Sequence, residues 1–205
     1  MRKTLAFLMV LSAASSLEAK TRPIGSVVAH GELRVDGYAV KGSGTAFDGT
    51  AIETGSDARS DADLLLSNGT RITLHSNSHG TLFRDHFVLD RGDAEMYAPA
   101  TYRLEVDALV VRTTGSSSSA RITIGEGHAI GVFAKEGHVE VDGDRGNVLA
   151  LIEPRNPRSF SRNAGGNWNV SATSAQAFNV PGRENNGKGN GPDQNNGHHH
   201  PHPSH

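Results

Sequence analysis

Apolar and polar residues alternate along this chain in short runs, and the runs meet at glycine-containing turns. Leu33 and Val35 lead into Asp36-Gly37, and Tyr38 and Val40 follow it. Ala62, Leu64 and Leu66 lead into Ser67-Asn68-Gly69, with Thr70, Ile72 and Leu74 beyond. Period-two alternation bounded by Asp-Gly or Asn-Gly is the pattern of β-hairpins with one buried face. Parity then selects the registers. Pairing Val35 with Tyr38 also pairs Leu33 with Val40, which keeps all four on one face, as a two-residue type I′ turn requires. In the second unit, a two-residue turn at Asn68-Gly69 sets Leu66 against Arg71 and splits the apolar set. A three-residue loop instead pairs Leu66 with Thr70, Leu64 with Ile72 and Ala62 with Leu74. Gly69 becomes the left-handed residue of a G1 bulge, and this bulged hairpin is the prediction.

The same pattern continues. Phe87 to Leu89 runs through Asp90-Arg91-Gly92-Asp93 into Ala94 and Met96, and Tyr102, Leu104 and Val106 alternate again. Leu109 to Val111 is continuously apolar, the pattern of a strand covered on both faces. Gly115 to Ser119 has the composition of a flexible loop. Ile122–Ile124, Ala129–Ala134, Val139–Val141 and Val148–Ile152 read as a meander, with turns at 125–128, 135–138 and 142–147. Across 135–138 the register pairs Ala134 with Val139 and Val132 with Val141. Trp168 and Val170 supply a last strand or a packing segment. Helical i, i+3, i+4 spacing is absent and Gly recurs often, 24 times in 205 residues. The expected fold is all-β: an antiparallel β-sandwich or β-roll of short strands, with a disordered C-terminal tail.

The two ends read differently. Arg2 and Lys3, the apolar stretch Leu5–Leu11 and the small polar stretch Ser12–Ala19 together form an export signal over residues 1–19, cleaved after Ala19 or after Ala14. A spanning helix needs roughly 20 apolar residues, so this run makes no stable membrane span. The expected location is the periplasm or the outside of a bacterium. A single β domain is expected over 20–181, with its core at 25–153. Residues 182–205 hold Gly, Asn, Pro, Lys and His without a large apolar side chain, and such a segment does not offset its chain entropy. With no cysteine, neither a disulfide nor an acylated N-terminal cysteine contributes. Removing Arg2, Lys3 and Glu18 with the leader leaves 18 basic and 21 acidic residues, a balance that disfavours nucleic acid and anionic membrane surfaces. Aromatic residues make up 5% of the chain, so Val, Ile, Leu and Ala must fill the interior.

A set of segments recurs in a recognisable order. Gly25-Ser26-Val27 and Val35-Asp36-Gly37 come first, then Asp48-Gly49-Thr50-Ala51-Ile52-Glu53-Thr54-Gly55. Ala62-Asp63-Leu64-Leu65-Leu66-Ser67-Asn68-Gly69-Thr70 follows, then Leu89-Asp90-Arg91-Gly92, Val111-Arg112-Thr113-Thr114 and Lys135-Glu136-Gly137-His138-Val139-Glu140-Val141. Over residues 25 to about 153 the chain resembles the FecR-like domain family. The resemblance implies an extracytoplasmic β domain used in envelope signalling or binding. Signalling members carry a cytoplasmic segment and a membrane span and act on a sigma factor. Only four residues precede the apolar run here, so no direct sigma-factor contact is expected. The family's Arg-Gly-Thr step is also missing, with Gly115-Ser116-Ser117-Ser118-Ser119 in its neighbourhood.

Candidate chemistry is sparse. Of 11 histidines, His198, His199, His200, His202 and His205 crowd the end of the chain. Imidazoles on a flexible segment bind Ni, Zn or Cu weakly, because nothing orients them. His75 and His79 have a helical ligand spacing on a segment that reads as a strand entering a loop, so they are read as surface histidines. Asp85 with His86, and Asp93 with Glu95, have no recognisable nucleophile or oxyanion donors nearby and are read as solvated charges. Arg91-Gly92-Asp93 spells an adhesion tripeptide and is read as a strand connection. No catalytic residue and no tightly bound cofactor is expected. The function expected is that of an exported, non-catalytic binding or scaffolding module for an envelope protein or polysaccharide. The alternative is metal capture by the histidine tail.

Overall fold

The computed structural model describes residues 22–174 and Phe178. The expected leader, the tail and its five histidines lie outside the described residues. Among the described residues there is no α-helix; sixteen strands and one 3₁₀ turn at Glu126–His128 make up the fold. The strands are β1 (Gly25–His30), β2 (Leu33–Val35), β3 (Tyr38–Val40), β4 (Ser43–Ala46), β5 (Thr50–Thr54), β6 (Asp61–Leu66), β7 (Arg71–Leu74) and β8 (His79–Leu82). They continue with β9 (His86–Arg91), β10 (Asp93–Tyr97), β11 (Arg103–Val106), β12 (Leu109–Ile124), β13 (Ile130–Asp142), β14 (Val148–Ile152), β15 (Arg158–Arg162) and β16 (Trp168–Ala172).

All sixteen join one sheet, antiparallel except for β9 beside β11. Its path runs β3-β2-β5-β8-β9-β11-β12-β10-β7-β6-β1-β4. The long strand β12 bridges the two ends of the body. Its first part pairs with β11 and its last part with β10, while β13 follows it along the other side. The path ends, β3 and β4, are joined by Lys41-Gly42, and the Ala29 amide donates to the Gly42 carbonyl at 2.7 Å. The sheet is therefore folded over on itself and nearly closed into a barrel.

Alternation builds the interior. In β6 the buried residues are Ala62, Leu64 and Leu66; in β7, Ile72 and Leu74; in β10 and β11, Ala94, Met96, Leu104 and Val106. Phe87, Tyr102 and Phe160 are the largest fully buried side chains, and burying one such group contributes about 1.5–3 kcal/mol. The Asp36-Gly37 turn has positive φ at both residues (50° and 80°), and it pairs Leu33 with Val40 and Val35 with Tyr38. Tyr38 nevertheless stays exposed at the hairpin tip. The bulged loop also forms: Gly69 has φ 86°, its amide donates to the Leu66 carbonyl at 3.0 Å, and Leu64 pairs with Ile72.

Two expectations are corrected. Residues 135–138 do not turn back, because β13 runs unbroken through them. Ala134 pairs with Ala120 and Val132 with Ile122, while Val139 pairs with Thr113. Residues 115–119 are not a loop but the point where β12 shifts register against β13, between Thr114 and Ser119. β15 escapes the hydrophobic pattern because Phe160 is its only large apolar residue.

Candidate functional site

The fold bends at glycines, and three bends share one device. Gly31, Gly92 and Gly137 have φ of 93°, 88° and 63°, and each touches a serine of a neighbouring bend. The amide after each glycine donates to that serine's Oγ: Glu32 to Ser60 at 3.2 Å, Asp93 to Ser78 at 2.9 Å, and His138 to Ser118 at 3.3 Å. All three serines are buried. An amide turned inward at a bend has lost its strand partner, and a hydroxyl restores it. Further bonds tie the first two bends together. The Gly55 amide donates to the Glu32 carbonyl at 2.9 Å, and the Asn77 amide to the Gly55 carbonyl at 2.7 Å. Thr54 Oγ1 donates to the His75 carbonyl at 2.7 Å and accepts from the Ser78 amide at 2.9 Å.

Beside the Gly31 and Gly92 bends runs a groove of about 360 Å³, lined by Glu32, Arg34, Glu53, Thr54, Gly55, Ser56, Asn77 and Arg91. Its charged wall is a row across four strands. Arg34 stands opposite Glu53, Glu53 opposite His79, and His79 opposite Arg91. Arg91 Nη2 donates to Glu53 Oε1 at 2.6 Å, and Arg34 Nη2 lies 3.7 Å from Glu32 Oε1. His79 Nδ1 is 2.9 Å from Asp90 Oδ2, beside the row. The hydrogen bond from Arg91 holds the Glu53 carboxyl below its ordinary range. Glu53 therefore stays ionised and is no proton donor at neutral pH. The Glu32 side chain is largely in solvent. Such an arrangement offers hydrogen bonds and charge, held in place by the buried bends beneath.

Of the residues singled out in the sequence, His79 and Arg91 stand in this row, and the others lie elsewhere. His75 and His79 flank the β7–β8 bend and do not come together: His75 Nδ1 faces Asp61 at 3.8 Å, while His79 faces Asp90. Asp85 and His86 do meet, at 2.8 Å, with Arg103 3.0 Å from the same carboxylate and the Phe83 ring stacked on His86. The hydrogen bond from His86 lowers the Asp85 pKa. Asp93 and Glu95 each take their own cation. Arg121 Nε donates to both Asp93 oxygens, at 3.1 and 2.9 Å, and Lys135 pairs with Glu95. Asp93 is buried, so Arg91-Gly92-Asp93 is a strand corner that presents no acid to a receptor. Among the described residues, no group of three or more His, Asp or Glu side chains is arranged to hold a metal ion.

The groove itself was missed in the sequence. Glu32, Glu53, Asn77 and Arg91 follow no spacing rule. The one usable signal is Ile52-Glu53-Thr54-Gly55, read there only as a mark of fold. Neither protein-family models nor curated proteins match the chain.

Proposed function

We propose that the chain is an exported, non-catalytic binding or scaffolding module of the bacterial cell envelope, FecR-like in build, that holds an envelope protein or polysaccharide in the corner groove. The observation that carries this reading is the groove. Polar side chains of both signs from β2, β5 and β9 and from three bends meet there over a backbone locked by buried hydroxyls. Binding groups held on a rigid frame lose little freedom when a partner arrives. The leader pattern at 1–19 supports export, and the order of segments over 25–153 supports the FecR-like assignment. Envelope signalling is then exerted through a partner, without contact to a sigma factor.

Affinity capture from envelope extract tests this, using the mature protein and an Arg34→Ala, Ser56→Ala variant as parallel baits. The wild-type bait is expected to retain a partner that the variant loses. Equal recovery by both baits overturns the groove as the contact, and recovery of nothing at micromolar bait overturns the module.

One observation favours a second role, metal capture: five histidines fall within residues 198–205. Calorimetric titration with Ni²⁺ of the intact chain and of a chain ending at Pro181 tests it. Binding that survives the truncation excludes the tail.

A further inference from the structure

The chemistry of the groove narrows what it accepts; this step rests on the groove being the binding site. Charge comes first. The wall carries Glu32, Glu53, Arg34 and Arg91, two of each sign, and the pairs Arg91–Glu53 and Arg34–Glu32 already neutralise one another. A ligand of net charge finds no excess of the opposite sign there. Apolarity comes next. None of the eight lining residues has a purely hydrophobic side chain, so an apolar ligand buries nothing against it.

A peptide strand is disfavoured by topology. β2, β5 and β9, which carry Arg34, Glu53 and Arg91, each have neighbours on both sides: β3 and β5, β2 and β8, and β8 and β11. None offers the open edge that strand addition requires.

What remains is a ligand that is neutral, polar and recognised through side chains. The available groups are two guanidinium forks, two carboxylate forks, the Asn77 amide and the Ser56 hydroxyl, a set rich in paired donors and paired acceptors. Paired donors and acceptors on planar groups match the vicinal hydroxyls of a sugar ring, where each hydroxyl both donates and accepts. We infer that the corner groove is a site for a neutral glycan chain, gripped by Arg34, Arg91, Glu32 and Asn77. No aromatic ring lines it, so the stacking that strengthens many sugar sites is missing and binding is weak per unit. Affinity on an envelope surface then comes from repeated sites along a polymer.

The test is an amide NMR titration of the full chain with a panel of neutral oligosaccharides: glucan, mannan and N-acetylhexosamine oligomers. At least one is expected to shift the Thr54, Gly55, Ser56 and Asn77 amides saturably in the millimolar range. The exposed change Arg34→Ala should weaken that binding at least about fivefold, and Arg71→Ala, outside the groove, should leave it unchanged. No saturable shift with any member, or equal binding by Arg34→Ala, overturns the inference. If an uncharged extended peptide moves these amides and no sugar does, the glycan class fails while the groove stands as a binding site. A captured partner equally retained by the Arg34→Ala, Ser56→Ala bait removes the groove itself.

Discussion

Ser78 Oγ and the Asp93 backbone are bonded in both directions: the hydroxyl accepts from the Asp93 amide at 2.9 Å and donates to the Asp93 carbonyl at 3.0 Å. The contact explains why the intervening residue is Gly92. A Cβ there would lie 2.3 Å from Ser78 Oγ and 2.6 Å from its Cα, on a backbone with φ 88°. Gly92→Ala is expected to cost roughly 2–5 kcal/mol, from the left-handed backbone and the overlap together. Gly37→Ala, with similar φ and nothing within 4 Å, should cost about 1–2 kcal/mol. Urea unfolding of the two variants checks the difference, and equal losses would mean that the bends do not stack.

How much of this was legible depends on how local each cause is. Asp36-Gly37 and Ser67-Asn68-Gly69 turn the chain by their own backbone preferences, so residue type and parity were enough. Gly137 reads as a hairpin turn because its local signal is that of a turn. Ser118, the residue it actually meets, is nineteen positions away in the chain and no spacing reveals it. For the same reason Gly115–Ser119 reads as a loop, although Ser118 within it packs against Gly137. The groove was illegible because its seven polar side chains belong to elements that only the closed sheet brings together.

The buried pair Asp93–Arg121 should behave differently from the exposed pair Glu53–Arg91. The side chains of the first are 9% and 17% exposed, those of the second 40% and 51%. Asp93→Ala leaves a partly buried guanidinium without its counter-charge and is expected to cost about 3–5 kcal/mol. Glu53→Ala should cost less than about 1 kcal/mol. Chemical denaturation of each variant is the check, and the reverse order would contradict the assigned burial.

Alkaline titration should leave one tyrosine behind. Tyr102 is buried, its hydroxyl donates to the Phe83 carbonyl at 3.1 Å, and burial pushes its pKa above the ordinary 10.0. Its folded pKa is raised, so its contribution to stability is complete below pH 10 and is lost as pH rises beyond it. Ultraviolet titration is expected to show one of the three tyrosines ionising only as the chain unfolds, and Tyr102→Phe should abolish that late step. A late step that persists in the variant would assign it elsewhere.

At acid pH the sign is opposite. Arg91 depresses the Glu53 pKa below its ordinary 4.5, and His86 depresses that of Asp85 below 3.8. Their contributions are complete above those values and fade as pH falls through the lower folded ones. Both groups are solvent-screened, so the effect is small. Glu53→Gln should flatten the loss of stability below about pH 4.5 slightly and leave neutral stability nearly unchanged, as followed by urea midpoints against pH. A steeper acid slope in Glu53→Gln would show that Arg91 does not favour the charged carboxylate.

The closed sheet turns on β12 and β13 crossing the body side by side without turning back. Backbone NOE measurements across this ribbon test that most directly. Cross-strand contacts between Thr113 and Val139 and between Ala120 and Ala134 are the result this account requires. Contacts between Ala134 and Val139, the signature of a hairpin at 135–138, would contradict it.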